Sequence, residues 1–301
     1  MTGAPEATGT SAADRHDGAV DPRGRGVNRR GRGVNPSLLA GGILVALVVA
    51  LALLSFLWTP HDPGRVDAAH RLLGPDGTYW LGTDKFGRDI ASRLMVGART
   101  TLFVGVVAVG VAALLGTPLG IWAGMSRGLA GGLLARVTDL AMAFPALLLA
   151  IMFGAVFGAS TLTAMVAIGL ATVPAYIRIV RAGTLSVLAR EYVLAARAAG
   201  RRGPGIAVRH VLPNVAGLVI VQGSVSFAIA VLAEAGLSFL GFGTAPPTPS
   251  WGRMLQESQE LLFVHPLLAL WPGLAILLAV LGFNLAGDGL RDRHDPGSAD
   301  R

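Results

Sequence analysis

Glu234 is the one ionisable residue set inside, or at the edge of, a long apolar run in this 301-residue chain. A charge at that depth is costly, so such a residue is a functional candidate by default. Gly236, Gly241 and Gly243 follow it closely. The preferred expectation therefore puts Glu234 at the external interface, bonded to a backbone group, with substrate contact as the alternative. Chemistry on a membrane-embedded substrate needs a second catalytic group facing the first, and none is offered. The chain has no cysteine, which excludes disulfides, thiolate zinc sites, iron–sulfur clusters and thiol nucleophiles. It carries no Gly-x-x-x-x-Gly-Lys-Ser/Thr phosphate loop, no His-Glu-x-x-His zinc pair and no Gly-x-Ser-x-Gly turn. His210 and His265 stand beside loops without metal-ligand spacing. No catalytic residue, metal or cofactor is expected, and the chain reads as a non-enzyme.

A second group of residues suits contact rather than catalysis. It runs Arg190-Glu-Tyr-Val-Leu-Ala-Ala-Arg-Ala-Ala-Gly200 and continues to Leu212-Pro213. Glu191 to Ala199 favours a short helix, with an acid in its first turn. Gly200 suits the left-handed residue that ends a helix, and Pro204 is expected to stop any continuation. The small side chains of Ala195 and Ala196 would let another protein's surface approach closely. A plain connecting loop fits these properties equally well.

The elements that must position these residues are membrane spans. The chain is 52% hydrophobic and 14% charged, with mean hydropathy +0.59. A soluble domain carries about a quarter charged residues. A hydrocarbon core of about 30 Å needs roughly 20 apolar residues per helix. Leu38 to Trp58 and Thr100 to Ser126 each meet this, and the second carries Gly116, Gly120 and Gly124 as a stripe for close helix packing. Leu140 to Ile177 is uncharged for 38 residues, which fits two spans with a turn at Gly158 to Thr161. Asn214 to Gly241 and Pro266 to Ala286 complete six. Asp139 and Asp288 are expected at interfaces.

The net charge of +7 and pI near 11.0 could suggest nucleic acid, but the arginines lie in the gaps between apolar runs. Their placement reads as membrane orientation, with the lipid bilayer as partner and no nucleic acid. Residues 1–36 form an Arg/Gly-rich tail, expected to be disordered and cytoplasmic, in which Arg-Gly-Arg-Gly-Val-Asn occurs twice. Arginine–glycine repeats can bind RNA, yet beside a membrane helix a positive anchor at the cytoplasmic surface is preferred. The segment Arg178 to Arg209 has seven arginines and Gly241 to Phe263 only Arg253, which puts the former in the cytoplasm and both termini with it. The outer loop, 59–98, runs against this rule with five basic residues. In that loop Asp84 could cap a helix lying flat on the outer surface, with Ile90, Leu94 and Ala98 on one face and Arg88 and Arg93 reaching the headgroups. The Pro246-Pro-Thr-Pro249 run is a stiff loop piece that puts Trp251 at the interface.

The cytoplasmic segment resembles the EAA loop of ABC importer permeases, whose pattern is Glu-Ala-Ala, three residues, Gly, nine residues, a hydrophobic residue, one residue, then Leu-Pro. Ala195, Ala196, Gly200, Leu212 and Pro213 fall at that spacing. Leu194 stands where the pattern has Glu, His210 where it has a hydrophobic residue, and Glu191 sits one turn earlier. Leu81-Gly-Thr-Asp-Lys-Phe-Gly-Arg-Asp89, Ser92-Arg-Leu94, Gly97-Ala-Arg99, Leu237-Ser-Phe-Leu-Gly-Phe-Gly243, Pro246-Pro-Thr-Pro-Ser-Trp-Gly252 and Asn284-Leu-Ala-Gly-Asp-Gly-Leu-Arg291 are similar to the C-type permeases of dipeptide, oligopeptide and nickel importers. The resemblance covers nearly everything from Asn35 to Pro296. It implies an all-α polytopic protein of the type I importer permease fold, with a first helix at 37–58, an outer loop at 59–98, a permease domain at 99–288 containing the loop 190–213, and a cytoplasmic tail at 289–301. It further implies alternating access in the plasma (inner) membrane. The implied partners are a homologous second permease subunit, ATP-binding cassette ATPase subunits and an extracellular substrate-binding protein. Glu191, Tyr192, Ala195, Ala196, Gly200, Leu212 and Pro213 would form the ATPase-coupling loop, and Glu234 remains a weak candidate for substrate contact. Against this stand a polytopic membrane enzyme, which needs paired buried catalytic groups, and a secondary transporter, which needs internal repeats and midplane charges. Neither feature is present.

Overall fold

A computed structural model describes residues 35–126, 128–158 and 160–294. All but the last two positions of the N-terminal tail, and the C-terminal residues beyond 294, lie outside the described residues. The elements are α1 (Pro36–Leu57), α2 (Ile90–Met125), α3 (Leu129–Met142), α4 (Ala146–Phe157), α5 (Thr161–Leu188), α6 (Glu191–Ala198), α7 (Gly203–Ile206), α8 (Leu212–Phe239), α9 (Trp251–Ser258) and α10 (Leu267–His294). The described residues form no named strand. Five helical runs are long and apolar enough to cross a bilayer: α1, α2, α5, the run Gly203–Phe239 that contains α7 and α8, and α10. The pair α3 and α4, bent by 82°, makes a sixth span if it counts as one.

Helix starts follow local chemistry. Asn35 caps α1 by accepting from the Ser37 N–H, with Pro36 in the first turn where its missing donor costs nothing. Ser160 caps α5 through the Thr163 N–H, after the expected turn at Gly158, whose φ is +87°.

Glycines bring the spans together. A Cβ on Gly116, Gly120 or Gly124 of α2 would lie 2.4 to 2.7 Å from the nearest atoms of Tyr176, Val180 and Thr184, four residues apart on α5. The same device joins α1 to α10, where a Cβ on Gly41 would lie 2.3 Å from the Ala286 nitrogen. Gly120→Ala must therefore displace backbone, since Ile177 O would lie 2.9 Å from the new methyl. An overpacking cost of about 1–3 kcal/mol is expected, read as a lowered thermal unfolding temperature of the purified protein. Gly110→Ala, where nothing lies within 4 Å, should leave that temperature unchanged or raise it.

The bundle differs from the sequence expectations at several places. The separate surface helix expected in 59–98 does not form: Ile90, Leu94 and Ala98 belong to the first turns of α2, capped by Asp89 rather than Asp84. Arg88 and Arg93 do not reach for headgroups but pair with Asp84 and Glu257. Trp251 is only 2% exposed rather than interfacial, and its indole Nε1 donates to Leu94 O at 3.0 Å, over Gly97. The third span starts well before Leu140, so Asp139 lies inside α3, exposed, and Pro145 marks the bend to α4. Helix α10 runs on past Asp288 to His294, into the expected tail.

Helix α6 ends before Pro204 as expected, but a new helical path begins there. Pro204 sits in the first turn of α7, and a π-helical segment, Ala207–Val211, leads directly into α8. A proline removes one amide donor and crowds the carbonyl four residues back. The wider π turn accommodates Pro213 in this way, and the Asn214 side chain donates to His210 O at 2.7 Å.

One end of the bundle carries residues 58–89 and α9; the other carries α6, α7 and both ends of the described chain, joined by Asn35 Nδ2 donating to Asp292 Oδ2 at 2.8 Å. In the 58–89 segment His70 and the Ala69 N–H bond to Asp67, and the Tyr79 and Thr78 N–H groups bond to Asp76. These donors favour the carboxylate form and hold both acids below the usual range.

Candidate functional site

Helix α6 is a two-turn helix that presents most of its surface outward. Val193 is its one fully buried side chain. It sits in a cluster with Ile121 of α2, Val180 of α5, Ile206 of α7, Val211 of the π turn and Val215 of α8. Around this anchor Glu191, Tyr192, Leu194 and Ala195 are exposed and Ala196 is half-buried. Tyr192 and Leu194 are 46% and 51% exposed, a large apolar area for a helix this short. The Tyr192 ring lies 6.0 Å from the His210 ring, so these two residues of the expected loop do meet.

The end of α6 is a Schellman motif. Gly200 N–H donates to Arg197 O at 2.9 Å and Arg201 N–H to Ala196 O at 3.0 Å, with Gly200 at φ +80°. A Cβ on Gly200 would have nothing within 4 Å among the described residues. The glycine is therefore required by backbone conformation and not by packing inside this chain.

Leu212 and Pro213 open α8, beyond the π turn. Leu212 faces a groove against the end of α2 instead of extending the α6 surface. Val193 was not singled out by sequence reasoning. Its only signal is that it is the one β-branched residue in Glu191–Ala198.

At the other end, Glu234 is 1% exposed. Its Oε1 accepts from Ser238 Oγ at 2.6 Å and Thr244 Oγ1 at 3.2 Å, and Ser238 Oγ accepts from the Thr244 N–H at 2.9 Å. The expected backbone partner is thus replaced by two hydroxyls, one of which relays to backbone. Oε2 has no hydrogen-bond partner among the described residues. The carboxylate ties the end of α8 to the loop leading to α9.

A charged network that sequence reasoning missed lies at the same end. Glu257 Oε2 accepts from Arg88 Nη2 at 2.5 Å and Arg93 Nη2 at 3.0 Å, while Arg253 Nε reaches Oε1 at 3.4 Å. Arg88 Nε also bonds Asp84 Oδ2 at 2.6 Å. The network clamps α9 onto the start of α2. No group of three or more metal-ligating side chains occurs among the described residues.

Comparison with known proteins gives a consistent result. Residues 116–299 match the family described as binding-protein-dependent transport system inner membrane component. The chain is 40% identical over 262 residues to the dipeptide transport system permease protein DppC of Alkalihalophilus pseudofirmus, covering 87% of this chain and 86% of that protein. It is 39% identical over 259 residues to the glutathione transport system permease protein GsiD of Pectobacterium atrosepticum, covering 86% of each. It is 39% identical over 258 residues to the nickel transport system permease protein NikC of Escherichia coli, covering 84% of this chain and 92% of that one.

Proposed function

The chain belongs to the family of inner-membrane components of binding-protein-dependent transport systems, and on that footing we propose that it forms one half of the translocation path of an ATP-driven importer for dipeptides, oligopeptides or a similar small solute. It is a permease subunit and not an enzyme. Its partners are two ATP-binding cassette subunits, a homologous second permease that completes a heterodimer, and an extracellular binding protein that delivers solute. Both termini and α6 face the cytoplasm, and residues 58–89 face outward.

The observation that supports this reading is the seating of α6. Its outer surface exposes Tyr192, Leu194 and Ala195, while Val193 alone plugs into a cluster contributed by α2, α5 and α8. A displacement of α6 by a docked ATPase would be passed to three spans at once, because a close-packed cluster transmits strain and does not absorb it. Closure of the ATPases on ATP would in this way rotate the spans between outward and inward access.

The test is uptake by proteoliposomes containing the complete complex and binding protein. ATP-dependent accumulation is expected for at least one of a dipeptide, an oligopeptide, glutathione or chelated nickel, with no ATP hydrolysis by this subunit alone. Hydrolysis by the pure subunit, or accumulation without ATPase subunits, would overturn the assignment. In intact cells, Thr78→Cys should react with an impermeant thiol reagent and Arg201→Cys only after lysis; the reverse would invert the orientation.

A further inference from the structure

We propose that the groove between the end of α2 and the turn at α7 seats an acyl chain of an anionic phospholipid, whose phosphate is held by Arg201, Arg202 and Arg209. The inference rests on the reading that this end of the bundle meets the cytoplasmic headgroups.

The groove has a volume of about 550 Å³ and is walled by Pro118, Ile121, Trp122 and Met125 on one side and Val208 and Leu212 on the other. No charged side chain lines it. Trp122 and Val208 are 51% and 67% exposed, so the groove is open along its length to whatever surrounds the bundle. An open, uncharged groove on a chain that spans a bilayer suits an acyl chain.

The rim specifies the head group. Arg201 and Arg202 immediately precede the groove residues Gly203 and Pro204, and Arg209 lies between Val208 and Leu212. All three are exposed and none has an ion pair among the described residues. The Arg201 stem runs along α7, its Cγ 3.5 Å from where a Gly205 Cβ would sit. Between Arg190 and Asn214 the only carboxylate is Glu191, so the rim carries uncompensated positive charge. Guanidinium groups match phosphate oxygens in geometry as well as charge. Basic pockets between helices on the cytoplasmic side suit anionic head groups, and Trp122 is an indole of the kind that favours the headgroup level.

An acidic protein surface could also answer three arginines, and the experiment separates the two. The complete complex is placed in nanodiscs of phosphatidylglycerol or phosphatidylcholine, released into detergent, and weighed by native mass spectrometry. Retention of phosphatidylglycerol and not phosphatidylcholine is expected. Each Arg→Gln change at Arg201, Arg202 or Arg209 should reduce retention by about fivefold, and Ala207→Phe, which fills the groove, should abolish it. Loss with the arginine variants but full retention with Ala207→Phe would mean surface attraction alone and would overturn the groove assignment. So would retention seen only when the ATPase subunits are stripped away, since the groove would then be a protein interface. Because lipid retention is read without transport, a complex that binds lipid but fails to import would count against the function and not against the groove.

Discussion

Gly200→Asp in the assembled transporter is expected to uncouple ATP hydrolysis from uptake, while Gly200→Asn keeps most of the coupling. Gly200 has φ +80°, and its Cβ position is empty within this chain. Replacement therefore carries a backbone cost of about 1 kcal/mol for most residues, and asparagine is among those that tolerate the left-handed region best. Aspartate shares that tolerance but adds a negative charge at the C-terminal end of α6, unfavourable by about 0.3–1 kcal/mol against the helix dipole. On a surface that docks a partner, the same charge would be desolvated without a counter-ion, at several kcal/mol. The Asn variant thus measures the turn, and the difference between Asn and Asp measures the partner. A tenfold or larger loss of solute moved per ATP is expected for Asp, with the permease inserted at normal levels. Should Asp and Asn couple equally, α6 does not face a partner and its coupling role fails.

Glu257→Ala should be the most destabilising single change at the opposite end. Arg93 is 2% exposed, and its Nη2 bonds to Glu257 Oε2 at 3.0 Å. Its second ion pair, of Nε with Asp84 at 3.7 Å, is too long for a good hydrogen bond. Removing Glu257 leaves a buried guanidinium nearly uncompensated, which costs about 3–5 kcal/mol. The expected results are a much lower unfolding temperature and release of α9 from the start of α2, seen as protease cleavage between Gly241 and Leu267. Adding Arg93→Met to Glu257→Ala should recover much of the loss, because the stranded charge goes with it. If Glu257→Ala melts like the unmodified protein, the network is not what clamps α9.

Gly200 and Glu257 differ in how far the sequence reveals them. Gly200 was readable because its signal is local: an Ala-rich stretch, then glycine, within one turn of backbone. The turn at Gly158 and the close-packed stripe from Gly116 to Gly124 were readable for the same reason, since period and turn chemistry act over a few residues. Glu257 was not readable. It lies 164 residues from Arg93, and nothing local to either residue names the other.

The sequence by itself determined that this chain spans a membrane several times, that it lacks the residues for catalysis, and that it offers a short helix ended by Gly200 between the fourth and fifth spans. These follow from apolar run length, residue absence and local backbone preference, none of which needs a tertiary contact. Only the tertiary structure decided which partners meet the residues that a bundle buries at a cost. Arg93 near the start of α2 looked like a headgroup contact until Glu257 compensated it. Pro213 opens α8 directly after a π turn, where the sequence suggested only the approach to the fifth span. Trp251 looked interfacial until Gly97 left room for its ring and Leu94 O accepted its N–H. For Arg93 and Trp251 the cost of placing a charge or an indole inside the bundle is set by a partner that the fold supplies. In the last instance the same is true of α6: its helix is local, but its leverage exists only because Val193 meets α2, α5 and α8 in one cluster.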